Sequence, residues 1–299
     1  MGAGKTAFVK HMGALLIATL TLMCAACDTT NVTINPSSAP VPVTSAETIV
    51  VIIDPPSDTP DPDHATLPPG YVPATLSPSD EPVAPAQTPD PEKKYIALSY
   101  DDGPDEEKTF ALLDILREND VRVTFFVKGQ RLLNGKAAAA TVQAYKDGHE
   151  IGSHTWTHAD LTKLSDGDVR TELKKTSDKI EELTGARPFL FRPPYGSHNA
   201  EVRAIAKEFG MAVILWSVDT KDWESNSSKK ILEEVKKSAK PNAIILMHDT
   251  HQATVNAADN VIKWLKSQGY TIVPVGELLR MTRGLEPGVA YRSGDEPKK

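Results

Sequence analysis

Cysteine, positive charge and aromatic residues are each scarce in particular parts of this 299-residue chain. Its two cysteines are Cys24 and Cys27, so the sequence beyond Cys27 can form no internal disulfide. Residues 28–92 contain no lysine or arginine, and Tyr71 is their only aromatic residue. No block of basic residues occurs anywhere, which excludes the charge pattern typical of nucleic-acid binding.

The segment 28–92, which lacks basic residues and has one aromatic residue, is rich in proline and in acidic residues. It holds fifteen of the 23 prolines and ten acidic residues. Such a composition cannot bury enough apolar surface to offset the entropy of ordering, so we expect a disordered linker. Residues 93–299 carry 31 basic and 30 acidic residues, so the formal net charge of −7 belongs to the linker rather than to a folded domain.

The amino-terminal 27 residues have the pattern of an export signal. Two lysines precede an apolar run from about residue 12 to 26, which is too short for a comfortable membrane span. The run ends in Ala25-Ala26-Cys27, which resembles a bacterial lipobox, although Cys24 stands where leucine is usual. We expect Cys27 to be lipidated and the protein to lie at the outer face of the cell membrane or in the cell wall. Ordinary secretion and an uncleaved amino-terminal anchor are the alternatives.

From residue 93 onward, short β-rich runs alternate with amphipathic helical patterns. The predicted strands are 95–100, 123–127, 150–153, 189–192, 212–217, 243–247 and 270–273. The predicted helices are 108–119, 137–146, 165–183, 199–209, 228–239 and 254–267. Ser165, followed three residues later by Asp168, is a capping pair that marks the start of the third helix.

Strands that alternate with helices predict a parallel α/β architecture. No glycine-rich loop follows the first strand, which disfavours a dinucleotide-binding fold. We therefore expect a distorted (β/α) barrel of about seven parallel strands over residues 93–283, followed by a polar tail over residues 284–299.

Polar clusters follow five of the predicted strands, where a barrel places its chemistry. They are Ser99-Tyr100-Asp101-Asp102-Gly103-Pro104, His154-Thr155-Trp156-Thr157-His158, Arg192-Pro193-Pro194-Tyr195-Gly196, Asp219-Thr220-Lys221-Asp222-Trp223 and Leu246-Met247-His248-Asp249. Taken singly, each has a plain explanation as a turn, a rigid loop or a chance spacing of histidines. Their common position at one edge of one domain indicates a shared site.

The residue types suit a catalytic metal. Two imidazoles and one carboxylate form a typical zinc set that leaves a position open for water. His154 and His158 supply the nitrogens, and one of Asp101 or Asp102 supplies the oxygen. The other aspartate is left free to take a proton from the water.

Amide cleavage also needs an acid, because an amine leaves poorly unless it is protonated. His248 is the candidate acid, and Asp222 is suited to keep it protonated and oriented. Arg192 is suited to keep the free aspartate ionised.

The five clusters, in this order, resemble the motifs of the NodB-homology polysaccharide deacetylases, carbohydrate esterase family four, over residues 93–282. The resemblance implies that Asp101 is the general base and that Asp102, His154 and His158 hold the metal. It implies that Arg192 positions the base. One departure is Ser99-Tyr100 at the start of the first motif, where Thr-Phe is more frequent.

The later motifs carry further implied roles. The backbone N–H of Tyr195 corresponds to the oxyanion donor, and Asp222 to the residue that tunes the acid. Trp223 corresponds to a wall of the groove and Leu246 to the pocket for the acetyl methyl group. His248 corresponds to the catalytic acid.

The expected function is a metal-dependent hydrolase, a monomer, that removes N-acetyl groups from a polymer containing N-acetylglucosamine. A membrane tether favours peptidoglycan as the substrate. Chitin-like polymers, poly-N-acetylglucosamine and acetylated xylan are alternatives, and relatives that act on N-acetylmuramic acid often have asparagine at the position of Asp102. Zinc is the expected metal, with cobalt or another transition ion as the alternative. A catalytically inactive sugar-binding wall protein is the alternative of another class, and a zinc peptidase is disfavoured because no H-E-x-x-H sequence occurs.

Overall fold

The computed structural model describes residues 90–295. The predicted signal peptide, Cys27 and the predicted linker up to residue 89 lie outside the described residues. Among the residues described, no helix has the length and apolar character needed to cross a membrane.

Nine strands form one sheet in the described range, and every pair of neighbouring strands is parallel. They are β1 (Lys94–Asp101), β2 (Thr124–Val127), β3 (Glu150–Ser153), β4 (Leu190–Phe191), β5 (Ala212–Ile214), β6 (Val218–Asp219), β7 (Ile244–His248), β8 (Tyr270–Ile272) and β9 (Ala290–Tyr291). Their spatial order is β6-β7-β1-β2-β3-β4-β5-β9, and β8 pairs with the first residues of β1. The predicted α/β class and distorted parallel barrel are confirmed.

In the same described part of the chain, eight α-helices connect or follow these strands. They are α1 (Lys108–Glu118), α2 (Gly135–Lys146), α3 (Asp166–Thr184), α4 (Ala200–Glu208), α5 (Asp222–Ser225), α6 (Ser228–Ser238), α7 (Gln252–Ser267) and α8 (Val275–Thr282). The predicted start of α3 is confirmed, because the Ser165 hydroxyl accepts a hydrogen bond from the Asp168 backbone N–H at 3.3 Å. Gly185, in the left-handed conformation at φ 78°, ends the same helix.

The two faces of the sheet bury different sets of side chains, as the alternation along β2 shows. Phe125 and Val127 belong to the large apolar cluster that the helices α1, α2, α6 and α7 share with the sheet. Phe126 points to the opposite face and joins a smaller cluster with Val275 of α8. Because successive side chains of a strand alternate between faces, odd and even positions have separate tasks. The smaller cluster marks the inside of the barrel, beneath the carboxyl ends of the strands.

The predicted strand 212–217 is shorter in the structure, which has a strand only over Ala212–Ile214. β5 ends at Ile214, and β6 begins at Val218 on the far side of the sheet, next to β7. The intervening backbone turns its carbonyl groups towards the Arg192 guanidinium, which donates to Ile214 O at 3.4 Å and to Leu215 O at 3.2 Å. The chain therefore leaves the sheet where it contributes hydrogen-bond acceptors to the candidate site.

Ordered structure continues past residue 283, where the sequence placed the start of a polar tail. Ala290–Tyr291 forms β9 and pairs with β5, and the Tyr291 side chain is buried. The helix α8 was also not predicted, although Leu278 and Leu279 are fully buried in the inner cluster. The boundary at residue 283 is therefore wrong, because residues 290–291 contribute to the sheet and to its core.

Candidate active site

The polar clusters converge because parallel strands bring all their carboxyl ends to one edge of the sheet. Asp101, at the end of β1, is the register partner of His248 at the end of β7. Two residues earlier, Ser99 is the register partner of Leu246. Residues of the first polar cluster therefore lie beside residues of the fifth, as the sequence pattern predicted.

Three of these side chains form a candidate metal centre. Asp102, His154 and His158 each present one ligand atom, and these atoms lie within 4.8 Å of one another. Asp102 Oδ1 lies 3.2 Å from His158 Nε2 and 3.6 Å from His154 Nε2. In a tetrahedral zinc site with ligand distances of about 2.1 Å, the donor atoms lie roughly 3.4 Å apart. The donor set and its spacing therefore fit a divalent metal such as zinc.

The backbone around this centre adopts unusual conformations. Asp102 and His158 have φ angles of 69° and 71°, and Thr155, between the two histidines, has a φ of 64°. Left-handed backbone is uncommon for residues other than glycine and costs of order 1–3 kcal/mol at each position. The surrounding hydrogen bonds hold these conformations, among them the one from His158 N to Thr155 Oγ1 at 3.1 Å.

Glu172 supports the loop that carries the histidines. This buried residue lies on α3, and its Oε2 accepts hydrogen bonds from the backbone N–H groups of Trp156 and Thr157, each at 2.8 Å. Its Oε1 accepts from the Thr157 hydroxyl, also at 2.8 Å. Nothing in the sequence distinguishes Glu172 from the other glutamates of this helix.

His154 is oriented through the nitrogen that faces away from the centre. Its Nδ1 lies 2.7 Å from the carbonyl oxygen of Arg192, so a proton on Nδ1 leaves Nε2 as the ligand atom. For Asp102, burial alone would raise the pKa, but the nearby charges of His154, His158, His248 and Lys128 lower it below its usual value. The carboxylate is therefore ionised and ready to bind a cation.

Asp101 faces the same centre but is held by a different partner. Its Oδ1 accepts a hydrogen bond from Arg192 Nη1 at 2.7 Å, and its Oδ2 lies 3.7 Å from His154 Nε2. The same Arg192 nitrogen donates to the Ser99 hydroxyl at 2.9 Å. One carboxylate oxygen is therefore fixed by Arg192, and the other points towards the metal ligands.

Arg192 is itself completely buried, which is unusual for arginine. Burial lowers its pKa below the usual value, while the charge and hydrogen bond of Asp101 oppose that shift. Its guanidinium lies 4.1 Å from the ring centroid of Phe126. Four hydrogen bonds to Asp101, Ser99 and the two carbonyls of the chain between β5 and β6 satisfy the buried cation.

His248 and Asp222 form a second pair. The Asp222 carboxylate accepts from His248 N at 2.7 Å and from Thr254 Oγ1 at 2.5 Å, and it lies 2.8 Å from His248 Nδ1. Burial opposes the charge on His248, but the hydrogen bond and charge of Asp222, with the charges of Asp101 and Asp102, raise its pKa to about 9. His248 is therefore protonated at neutral pH.

Three further predicted residues border this edge. Tyr195, at a φ of 60°, is 69% exposed, and its ring centroid lies 4.8 Å from that of His158. Trp223 is 52% exposed at the start of α5, beside Asp222. Leu246 is buried beneath the site at 4% exposure. Two exposed aromatic rings therefore lie at the rim and one buried leucine lies beneath the site, and their roles towards a substrate stay predictions.

Asp249 is the last residue of the fifth polar cluster, and the sequence analysis predicts no role for it. It is fully buried, and its Oδ2 accepts a hydrogen bond from Thr109 Oγ1 at 2.5 Å. A Cβ atom at Gly103 would lie 2.3 Å from its carboxylate oxygens, so only glycine fits there. Burial raises the pKa of Asp249 to about 7. The contact fixes the turn that directly follows Asp102.

Known proteins provide an independent comparison. Residues 88–214 match the sequence profile of the family described as polysaccharide deacetylase. The chain is 40% identical over 192 residues to the peptidoglycan-N-acetylmuramic acid deacetylase PdaC of Bacillus subtilis, covering 64% of this chain and 40% of that protein. It is 33% identical over 195 residues to a peptidoglycan-N-acetylglucosamine deacetylase of Bacillus cereus, covering 64% of this chain and 70% of that protein.

Solved structures agree with this likeness. A structure described as T48 deacetylase with substrate has a TM-score of 0.63 and 38% identity, and the match covers 67% of this chain and 96% of that one. The chain spans about two fifths of the length of the first curated relatives that it matches. The shared part is thus a domain that larger proteins also contain.

Proposed function

The chain belongs to the polysaccharide deacetylase family, and from this premise we propose that it removes N-acetyl groups from a polysaccharide containing N-acetylglucosamine, with peptidoglycan as the substrate. The single observation that carries the proposal is the arrangement around Asp102, His154 and His158. A three-ligand centre lies beside a carboxylate that is held by an arginine and an imidazolium that is held by a carboxylate. Such a set contains a base, an acid and a place for a metal, which amide hydrolysis requires.

Asp102, His154 and His158 would hold the ion, which we propose to be zinc, with cobalt or another transition ion as the alternative. A divalent ion bound there supplies Lewis acidity, which makes a water molecule a nucleophile at neutral pH.

Asp101 is the proposed general base. Arg192 holds one of its oxygens at 2.7 Å, which leaves the other oxygen to accept a proton from the attacking water. The backbone N–H of Tyr195 is proposed to donate to the oxygen that becomes negative as the carbonyl is attacked.

His248 is the proposed general acid. Its raised pKa keeps the imidazole protonated at neutral pH, and Asp222 fixes the ring through Nδ1, which leaves Nε2 to protonate the departing amine. The amine leaves as a neutral group, and acetate is the second product. Leu246 is proposed to contact the acetyl methyl group, with Trp223 forming one wall of the sugar groove.

Peptidoglycan is preferred because two similar proteins are described as peptidoglycan deacetylases. Chitin-like polymers, poly-N-acetylglucosamine and O-acetylated xylan remain the alternative substrates, and a catalytically inactive sugar-binding wall protein remains the alternative of another class. We further propose a signal peptide over residues 1–27, lipidation of Cys27 and a linker over residues 28–92 that tethers a monomeric domain beside the wall.

Acetate release from purified polymers, measured with defined metals, tests this proposal. We expect release from peptidoglycan that a chelator abolishes and zinc restores. Asp101→Asn should bind zinc and lose about 10²–10⁴-fold in turnover, whereas Asp102→Asn should bind zinc weakly. Loss of zinc from the Asp101 variant alone would show that the two aspartates are assigned the wrong way round. Sugar binding without acetate release would favour the inactive wall protein.

A further inference from the structure

Lys128 lies at the edge of the sheet that carries the candidate site. It directly follows β2, and its backbone N–H donates to the carbonyl of Gly103 at 2.8 Å. Gly103 is the residue after Asp102. On the other side, His154 N donates to Val127 O at 2.9 Å, so Lys128 lies beside a second proposed metal ligand.

The alternation of the strand decides on which face the Lys128 side chain lies. Lys128 keeps an extended backbone, at φ −83° and ψ 122°, so it continues the pattern of β2. Phe126, two residues earlier, belongs to the inner cluster and underlies the guanidinium of Arg192. Side chains two residues apart share a face of the sheet. Lys128 therefore lies on the inner face above Phe126, at the end of the barrel that carries the candidate site. It is half-buried.

The other charged side chains at this end of the barrel have partners. Arg192 is bonded to Asp101, and His248 to Asp222, while Asp102 belongs to the candidate metal centre. Within residues 90–295, no carboxylate forms an ion pair with Lys128. An ammonium group beside a site for a divalent cation adds like charge, which is unfavourable unless an anion comes between them.

We propose that Lys128 binds a carboxylate that the polysaccharide carries next to the reacting acetamido group. This inference rests on the proposed function and specifies its substrate as an acidic amino-sugar polymer. In peptidoglycan, the carboxylate belongs either to the lactyl ether of a neighbouring sugar or to a stem peptide. An ammonium contributes a charge-assisted hydrogen bond to either group without taking part in the chemical step.

Kinetics with three variants tests the proposal. Lys128→Met removes the charge, Lys128→Arg keeps it, and Lys146→Met removes an exposed charge at the end of α2, away from the site. The substrates are glycan strands stripped of peptides, the same strands with their carboxylates reduced to alcohols, strands that retain peptides, and neutral chito-oligosaccharides. Binding of each glycan is measured in parallel by calorimetry, which needs no turnover.

On acidic strands, Lys128→Met should raise KM about tenfold or more, as for a lost hydrogen bond to a charged group, with kcat nearly unchanged. At saturating zinc, its loss on the reduced strands and neutral oligosaccharides should be much smaller than on acidic strands, and turnover of these neutral substrates also shows that the variant folds. Lys128→Arg should restore most of the affinity, and Lys146→Met should change nothing. Added salt should weaken binding of acidic strands by the unaltered protein more than by Lys128→Met.

The outcomes separate the two proposals. An effect confined to strands with peptides would assign the carboxylate to the peptide, and an effect on stripped strands would assign it to the lactyl group. Equal loss on acidic and neutral polymers, or no change in binding of acidic strands, would overturn the role of Lys128. If no polymer released acetate, the proposed function would fail, and calorimetry with acidic strands would still decide whether Lys128 binds carboxylate.

Discussion

The Asp101–Arg192 and Asp222–His248 pairs each combine one carboxylate with one cation, but they exchange roles. In the first pair the cation is buried and permanently charged, and the carboxylate faces the metal ligands. In the second the carboxylate is buried and fixed by four donors, and the imidazole reaches the site. The comparison indicates that in each pair a completely buried partner holds the group that is proposed to react.

Removing the buried cation should have the largest effect. Arg192→Met leaves Asp101 buried without its partner, which costs about 3–5 kcal/mol of the free energy of unfolding. Acetate release should be lost as well, because the proposed base is no longer held in place. Urea denaturation and activity assays measure the two effects. The double variant Arg192→Met/Asp101→Leu should regain much of the stability but none of the activity, and a double variant as unstable as the single one would contradict this account.

Removing the reacting member of the second pair should have a smaller structural cost. His248→Ala leaves Asp222 with hydrogen bonds from Thr254 and from backbone N–H groups, so the fold should persist. Turnover of amides should fall by about 10²–10⁴-fold, the usual contribution of a general acid.

An ester substrate sharpens that prediction. An alkoxide leaves more readily than an amine, so the His248→Ala variant should lose less activity on an acetate ester than on the matched acetamide. Bound zinc, measured by atomic absorption, should be unchanged. Equal losses on the two substrates would mean that His248 does not protonate the leaving group.

Weakening the second pair without removing it should have the smallest effect. Asp222→Asn removes the charge that helps to raise the pKa of His248 to about 9, so that pKa should fall towards its usual 6.5. Because His248 must be protonated to act, activity is lost as pH rises through its pKa. The alkaline limb of the pH–rate profile should therefore shift to lower pH. The rate of acetate release should fall roughly 30-fold at pH 8 and little at pH 6. A uniform loss across this range would point to misplacement rather than to a changed pKa.

The raised pKa of His248 also predicts how the free energy of unfolding depends on pH. A raised pKa in the folded state adds stability that is fully present below about pH 6.5 and is lost as pH rises through about 9. Asp222→Asn should therefore lose more stability relative to the unaltered protein at pH 6 than at pH 10.

The sequence predicted the elements that are long enough to show a period. α3 was predicted at 165–183 and is observed at Asp166–Thr184, because its apolar face repeats over five turns and its start is capped. β9 has two residues, too few for any alternation, and pairs with a strand some 80 residues earlier in the chain. The break between β5 and β6 depends on Arg192, which no local pattern of residues 212–217 reveals.

The candidate site was predicted from the common position of several polar clusters, because each cluster alone has a plain explanation. Five clusters at the ends of strands in one domain indicate a shared site, and the structure gathers their aspartates and histidines at one edge. Ser99 begins the first polar cluster without a predicted contact. Strand alternation from Asp101 nevertheless places it on the same face, where Arg192 donates to its hydroxyl. Glu172 and Thr254 lie on helices and contact the site through tertiary packing, for which the sequence holds no signal.

The left-handed backbone at Asp102, Thr155, His158 and Tyr195 has a consequence for protein engineering. Glycine would relieve the local strain at such positions, so a selection for heat resistance alone would favour replacements at Asp102, His158 and Tyr195. Two of these are proposed metal ligands, whose ligand atoms glycine lacks, whereas glycine at Tyr195 would keep the backbone N–H that is the proposed oxyanion donor. A thermostable variant library screened without an activity assay should therefore accumulate folded but inactive proteins. Stabilising changes are better sought at Asp120 and Asn242, which share the conformation but lie outside the five motifs.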